Sequence, residues 1–94
     1  MSGEDALVKL RSAATRAVGA HQTTRAIARG QAVLVVVAGD ADRRVIDPVV
    51  QAAAARGVQV VEVDSMTALG RACGIAVGAA AGAVLVEGPP SSQS

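Results

Sequence analysis

The sequence contains no phenylalanine, tyrosine or tryptophan, one cysteine and one histidine. Without rings there is no platform on which successive bases of open single-stranded nucleic acid can stack, and that way of gripping it is excluded. Cys73 alone forms neither an internal disulfide nor a multi-cysteine metal site. With His21 as the sole imidazole, a structural zinc site has too few ligands. Long hydrophobic runs are missing too. The longest unbroken apolar stretch, Ala32 to Ala38, falls well short of a membrane span, and Gly78 and Gly82 interrupt the stretch from Ile75 to Val86. The opening Met1-Ser2-Gly3-Glu4-Asp5 is acidic where a secretory signal is basic. The chain is therefore expected to be soluble and cytoplasmic, with no membrane partner.

What is present is alanine (21) and valine (16), which supply most of the apolar residues of a 94-residue chain. That length suits one domain with one core, burying ~60–70% of the surface that the unfolded chain exposes. The net charge of +1 alone argues against a polyanionic partner. Its distribution argues otherwise. In residues 1–30, Lys9, Arg11, Arg16, Arg25 and Arg29 outnumber Glu4 and Asp5 by three. In residues 31–66, Asp40, Asp42, Asp47, Glu62 and Asp64 outnumber Arg43, Arg44 and Arg56 by two. A domain with one basic end can hold a polyanion locally, although solvated helix charge accounts for the same pattern.

Leu7, Leu10, Ala14 and Ala17 or Val18 recur at helical spacing behind Glu4 and Asp5, which predicts an amphipathic helix over 4–18. Gly19 breaks it, and a second helix is expected from about Ala20 to Arg29, stopped by Gly30. The run from Ala32 to Gly39 reads as a strand buried on both faces. Asp40-Ala41-Asp42 then offers an N-cap for a helix from about Arg43 to Arg56, with Pro48 early in it and Gly57 at its end. Gln59 to Asp64 reads as a strand, and Ser65 caps a short helix from Met66 to Cys73, stopped by Gly74. A loop punctuated by glycine leads to a further strand, Ala80 to Val86. Strands alternating with helices predict an α/β fold: a three-layer α/β/α sandwich with a small mixed sheet. The Gly88 to Ser94 segment is small and polar and is expected to be a disordered tail.

Catalysis finds little support. A Cys–His pair would have to use both Cys73 and His21, and Cys73 falls at a helix C-terminus, where the dipole raises a thiol pKa. No P-loop, paired-carboxylate constellation or dinucleotide fingerprint is present, so no cofactor is expected. Two other features carry more. Gly19-Ala20-His21-Gln22-Thr23-Thr24-Arg25 is a glycine turn opening a helix, with His21 and Gln22 beside free backbone N–H groups that attract phosphate or read base edges. Arg25 and Arg29, four apart, share a face and can follow a phosphate backbone. Ordinary capping is the plainer reading of His21 and Gln22. The second feature is Gly74-Ile75-Ala76-Val77-Gly78, whose apolar residues either fold back onto the core or meet an unstacked base.

Gly19-x-x-Gln22-Thr23, Leu34-Val35-Val36-Val37-Ala38-x-Asp40-Ala41-Asp42, Val63-Asp64-Ser65 and above all Leu69-Gly70-Arg71-Ala72-Cys73-Gly74 resemble the L-seven-Ae family of ribosomal proteins. Ile75-Ala76-Val77-Gly78-Ala79-Ala80-Ala81 is similar to its small bacterial members. The resemblance runs in order from about residue 6 to residue 86, and the Leu-Gly-x-Ala-Cys-Gly block is its most specific part.

The resemblance implies a single RNA-binding domain over 1–87 that recognises the kink-turn, a bent RNA duplex with a three-nucleotide bulge followed by sheared G·A pairs. In the family, the helix after the glycine turn enters the major groove at those pairs. An Asn-Glu pair usually reads the guanines, and a basic residue three positions on meets phosphate. On this chain the corresponding positions are His21, Gln22 and Arg25, after Gly19. The apolar loop that packs against the flipped-out bases corresponds to Ile75, Ala76 and Val77. Arg29 and Lys9 are expected to add phosphate contacts. Gln22 lacks the charge-assisted bond of a carboxylate, a difference of ~1–2 kcal/mol or roughly tenfold in affinity. Bacterial relatives often carry Lys-Gln here, so the binding mode is expected to survive.

The leading expectation is thus a non-enzymatic RNA-binding protein, acting on ribosomal RNA or a riboswitch. About three to four phosphate contacts imply a logarithmic salt slope of about −3 to −4. The alternatives are a ribosome-associated protein–protein scaffold without kink-turn specificity and, more remotely, an enzyme dependent on Cys73. No long exposed apolar stripe calls for a second copy, so a monomer is expected.

Overall fold

Serine, aspartate and glycine punctuate the chain where helices begin and end, and the computed structural model follows that punctuation through residues 1–86. Residue 87 and the expected tail at 88–94 lie outside the described residues. The first helix, α1 (Gly3–Ser12), starts at Ser2, whose hydroxyl accepts the Asp5 N–H at 3.1 Å. Glu4 and Asp5 lie in its first turn and Lys9 and Arg11 in its last, each matched to the helix dipole. It buries Ala6 and Leu10.

The expected helix over 4–18 is too long. Ala13 turns to extended backbone (φ −67°, ψ 138°), and Arg16–Val18 forms a strand, β1. The helical spacing that put Ala17 on an apolar stripe also suits a strand that turns Ala17 inward. Pairing decides between them, because β1 runs antiparallel to β4 (Ala81–Leu85), with Ala17 opposite Ala83.

The other elements fall close to expectation. They are α2 (Ala20–Ala28), β2 (Ala32–Ala38), α3 (Arg43–Ala55), β3 (Val60–Val63) and α4 (Met66–Ala72). Every residue of β2 except Val33 is buried, because this strand has neighbours on both sides. Asp42 caps α3 by accepting the Arg44 N–H at 2.9 Å. Pro48 lies in the second turn of α3, later than its least costly place, and has no N–H to offer the Arg44 carbonyl; it sits on the exposed side. Two side chains cap α4: Ser65 accepts the Ala68 N–H at 3.1 Å, and Asp40 accepts the Met66 N–H at 2.8 Å.

The sheet is mixed and ordered β1-β4-β2-β3, with β2 and β3 parallel and the other pairs antiparallel. Helix α2 packs on α3 and α1 on α4, so the sheet is the middle layer of an α/β/α sandwich. Leu10, Ile27, Ile46, Leu69, Val35, Val36 and Val49 are the largest fully buried apolar side chains and belong to the core on both sides of the sheet. Helix α2 leads into the start of β2, α3 leaves from its end, and α4 leaves from the same end of the parallel β3. The N-termini of α2, α3 and α4 therefore gather at one end of the sheet. None of the helices among the described residues is long and apolar enough to cross a membrane.

Candidate functional site

Gly19 stands between β1 and α2 with φ 95° and ψ 156°, a region essentially reserved for glycine. Its N–H donates to the Ala81 carbonyl at 2.8 Å, and its carbonyl accepts the Thr23 N–H at 2.9 Å. The first bond fastens the start of α2 to the start of β4, and the second closes the first helical turn. Helices α1, α3 and α4 each have a side-chain cap; α2 has none, nor any acid in its first turn. Its first N–H groups are left without a side-chain acceptor, and helix dipoles favour anions at such an end.

His21 and Gln22 are exposed in this first turn. The capping reading is met only by a long contact, 3.5 Å from the Gln22 Oε1 to the Val18 N–H. Thr24 turns its hydroxyl back to the Ala20 carbonyl at 2.9 Å, while Thr23 is fully buried and its Oγ1 has no partner. Arg25 and Arg29 are exposed and, with Gln22, line one groove beside β1. Gln22, Arg25 and Arg29 thus share a groove, while Gly19 and the exposed His21 stand at the N-terminal end of the same helix.

The loop Gly74–Ala80 enters the same end of the sheet. The Ala38 N–H donates to the Ala80 carbonyl at 2.9 Å, and the Ala79 N–H to the Met66 carbonyl at 3.0 Å. Its underside is set by Gly70 in α4, where a Cβ would overlap the Val77 carbonyl oxygen and lie 3.1 Å from the Gly78 Cα. Ile75 folds back and packs on the core, as loop apolar residues usually do. Ala76 and Val77 do not: both are exposed, Val77 at 70%. The Gly19–Ala81 bond thus ties the start of α2, with His21 and Gln22, to the point where the loop carrying Ala76 and Val77 enters β4.

Lys9 is not part of this arrangement. It lines a separate groove with Ser12, Val33, Gln59 and Val84, at the end of the sheet where β2 starts. Sequence charge counts gave its sign and not its place.

Arg16 is the residue that sequence reasoning missed. Its Nη1 donates to the Leu10 and Arg11 carbonyls, both at 3.2 Å, and its Nη2 lies against Gly74, 3.2 Å from where a Cβ would stand. One guanidinium so joins the C-terminus of α1 to the start of the apolar loop. No sequence signal marks it while residues 16–18 are read as helix.

Cys73 is buried, with its sulfur against Gly82. Burial pushes its thiol above the ordinary value, and the nearby Arg16 charge offsets this only in part. A neutral buried thiol is a poor nucleophile, and the exposed His21 stands on a different layer.

Comparison with known proteins finds relatives that are named as RNA-binding. Over 77 residues the chain is 49% identical to an RNA-binding protein of Geobacillus sp. (strain WCH70), covering 82% of this chain and 94% of that one. It is 52% identical over 68 residues to the RNA-binding protein YbxF of Geobacillus stearothermophilus, covering 72% and 83%. The solved structure of the Giardia lamblia 15.5kD RNA binding protein superposes with a TM-score of 0.73 at 32% identity, over 90% of this chain and 72% of that one. The model of the ribosomal protein L7Ae/L30e/S12e/Gadd45 family matches residues 1–92, and the chain belongs to that family.

Proposed function

We propose that this is a cytoplasmic, non-enzymatic RNA-binding protein that recognises and stabilises the kink-turn, in ribosomal RNA or a riboswitch. The observation that carries the reading is the Gly19 N–H bond to the Ala81 carbonyl, which fixes the uncapped start of α2 beside the apolar loop. In this reading α2 enters the major groove at the kink, where bending opens a groove that is otherwise too narrow for side chains. His21 and Gln22 meet the edges of the sheared G·A pairs, and the free N–H groups of the first turn favour nearby phosphate. Arg25 and Arg29 follow the backbone. Ala76 and Val77 cover the unstacked bulge bases, while Ile75 anchors the loop to the core. Contact at the loop is by shape, since the sequence has no Phe, Tyr or Trp ring on which to stack a base.

Phosphates crowd together in the kinked RNA, so a protein that binds only that form shifts the population towards it. The test is energy transfer across an end-labelled kink-turn titrated with protein in low magnesium. The control RNA has both sheared G·A pairs replaced by Watson–Crick pairs. Transfer should rise for the kink-turn alone. Equal, weak binding of both RNAs without bending refutes the reading and favours the protein–protein scaffold.

A further inference from the structure

The start of α3 carries Arg43 and Arg44, two cations in a first turn where the helix dipole disfavours them. Both are exposed, with the Arg44 side chain at 91%. Their compensation is slight. Among the described residues the only ion pair is Arg44 with Asp42, at 3.3 Å, and that carboxylate also caps the helix through the Arg44 N–H. Asp47, one turn further on, is beyond 4.0 Å from either guanidinium, and the nearby Asp40 is committed to the Met66 N–H. Arg43 therefore has no acidic partner among the described residues, at a position where local helix physics gives no reason for an arginine.

Position supplies a reason. Helix α3 packs on α2, and both begin at the same end of the sheet. Their strands, β1 and β2, are separated only by β4, so their exits lie two strand spacings apart, about 10 Å. A nucleic-acid duplex carries a charge about every 1.7 Å of its axis, so several phosphates fit within that span. From this we infer that Arg43 and Arg44 form a second phosphate-binding point for the same RNA, holding the stem on the far side of the kink from the one that Arg25 and Arg29 follow. The inference rests on the kink-turn reading above and adds to it a grip on both arms of the bend. Helix α3 is already capped by Asp42, so the two side chains and not the helix end make the contact.

The experiment titrates wild type, Arg43→Gln/Arg44→Gln and Arg43→Lys/Arg44→Lys with the kink-turn and its G·A-disrupted control at several salt concentrations. The glutamine variant should bind the kink-turn roughly tenfold or more weakly at low salt. Its logarithmic salt slope should be shallower by about two, one phosphate contact for each arginine removed. Preference for the kink-turn over the control should narrow, because only the bent RNA reaches the second point, and the lysine variant should restore both preference and slope. Thermal melting of the glutamine variant should be unchanged or slightly raised, because two dipole-opposing charges are gone. If wild type binds selectively and the glutamine variant keeps its affinity and slope, the second point does not exist while the kink-turn reading stands. If wild type itself fails to distinguish the two RNAs, both fall.

Discussion

Gly70→Ala sets two effects of opposite sign against each other. Within a helix, alanine is favoured over glycine by about 1 kcal/mol, so on propensity alone the substitution raises stability. Packing argues the reverse. A Cβ at Gly70 would overlap the Val77 carbonyl oxygen and lie 3.1 Å from both Val77 C and Gly78 Cα, all of them backbone atoms. No side chain can rotate away to relieve this, so the loop must lift by roughly 1 Å, and overpacking of that kind costs about 1–3 kcal/mol. Lifting also strains the Ile75 N–H bond to the Gly70 carbonyl and the Ala79 N–H bond to the Met66 carbonyl, each at 3.0 Å. The net expectation is a loss of about 1–2 kcal/mol. For a domain of this size that lowers Tm by about 4–16 °C, at about 4–8 °C per kcal/mol. Kink-turn affinity should fall further than the melt alone explains, because Ala76 and Val77 ride on the displaced segment. Thermal melting by circular dichroism, followed by the energy-transfer titration well below Tm, reads both. A raised Tm would mean that helix propensity dominates and that the loop is not held where the structure has it.

Three further outcomes follow from named contacts. Asp40→Ala removes the acceptor of the Met66 N–H at 2.8 Å and should cost about 1 kcal/mol, a fall in Tm of about 4–8 °C, with Asp40→Asn recovering most of it. The folded-state pKa of Cys73 is raised, so the stability conferred by its neutral thiol is fully present below the unfolded pKa of about 8.5 and is lost as pH rises towards the folded value. The Tm difference between wild type and Cys73→Ala should therefore be constant below about pH 8 and should narrow above it; a flat difference up to about pH 10 would contradict the burial. Lys9→Gln should leave the salt slope of RNA binding unchanged, whereas Arg25→Gln should make it shallower by about 0.9. Equal effects of the two substitutions would put the RNA on a different surface.

Local chemistry made much of this fold legible. Asp42 and Ser65 announce α3 and α4 because a short acceptor side chain ahead of a helix satisfies an N–H that the helix cannot. The valine run of β2 announces a strand with neighbours on both sides. The end of α1 was not legible, because Ala17 fits a helix stripe and an inward strand position alike. What settles it is pairing with β4, more than sixty positions away in the chain. The candidate site divides the same way. Gly19, His21, Gln22 and Arg25 are consecutive enough to be read as a motif. Arg16 and Asp40 act on the C-terminus of α1 and the N-terminus of α4, and those partners exist only once the chain is folded.

The missing aromatic residues and the many glycines have one physical consequence. Without large rings, the space between layers is closed by bringing backbones together, since close-packed interiors leave little empty volume. Gly70 lets α4 lie directly under the Val77 carbonyl, and Gly82 lets β4 lie under the Cys73 sulfur, 3.1 Å from where a Cβ would stand, and against Leu10. The spacing of four between Gly70, Gly74, Gly78 and Gly82 therefore marks no helical face, since these residues fall in α4, the loop and β4. Three of them, Gly70, Gly78 and Gly82, are points where one backbone rests on another element, and Gly70 and Gly82 bracket the segment that carries Ala76 and Val77. A loop without rings cannot stack bases and must offer a fixed shape, and backbone-to-backbone contact holds a short loop more firmly than side chains with free torsions. In the proposed interface, the residues that never touch RNA thus determine whether Val77 stands at the height where a flipped base would meet it.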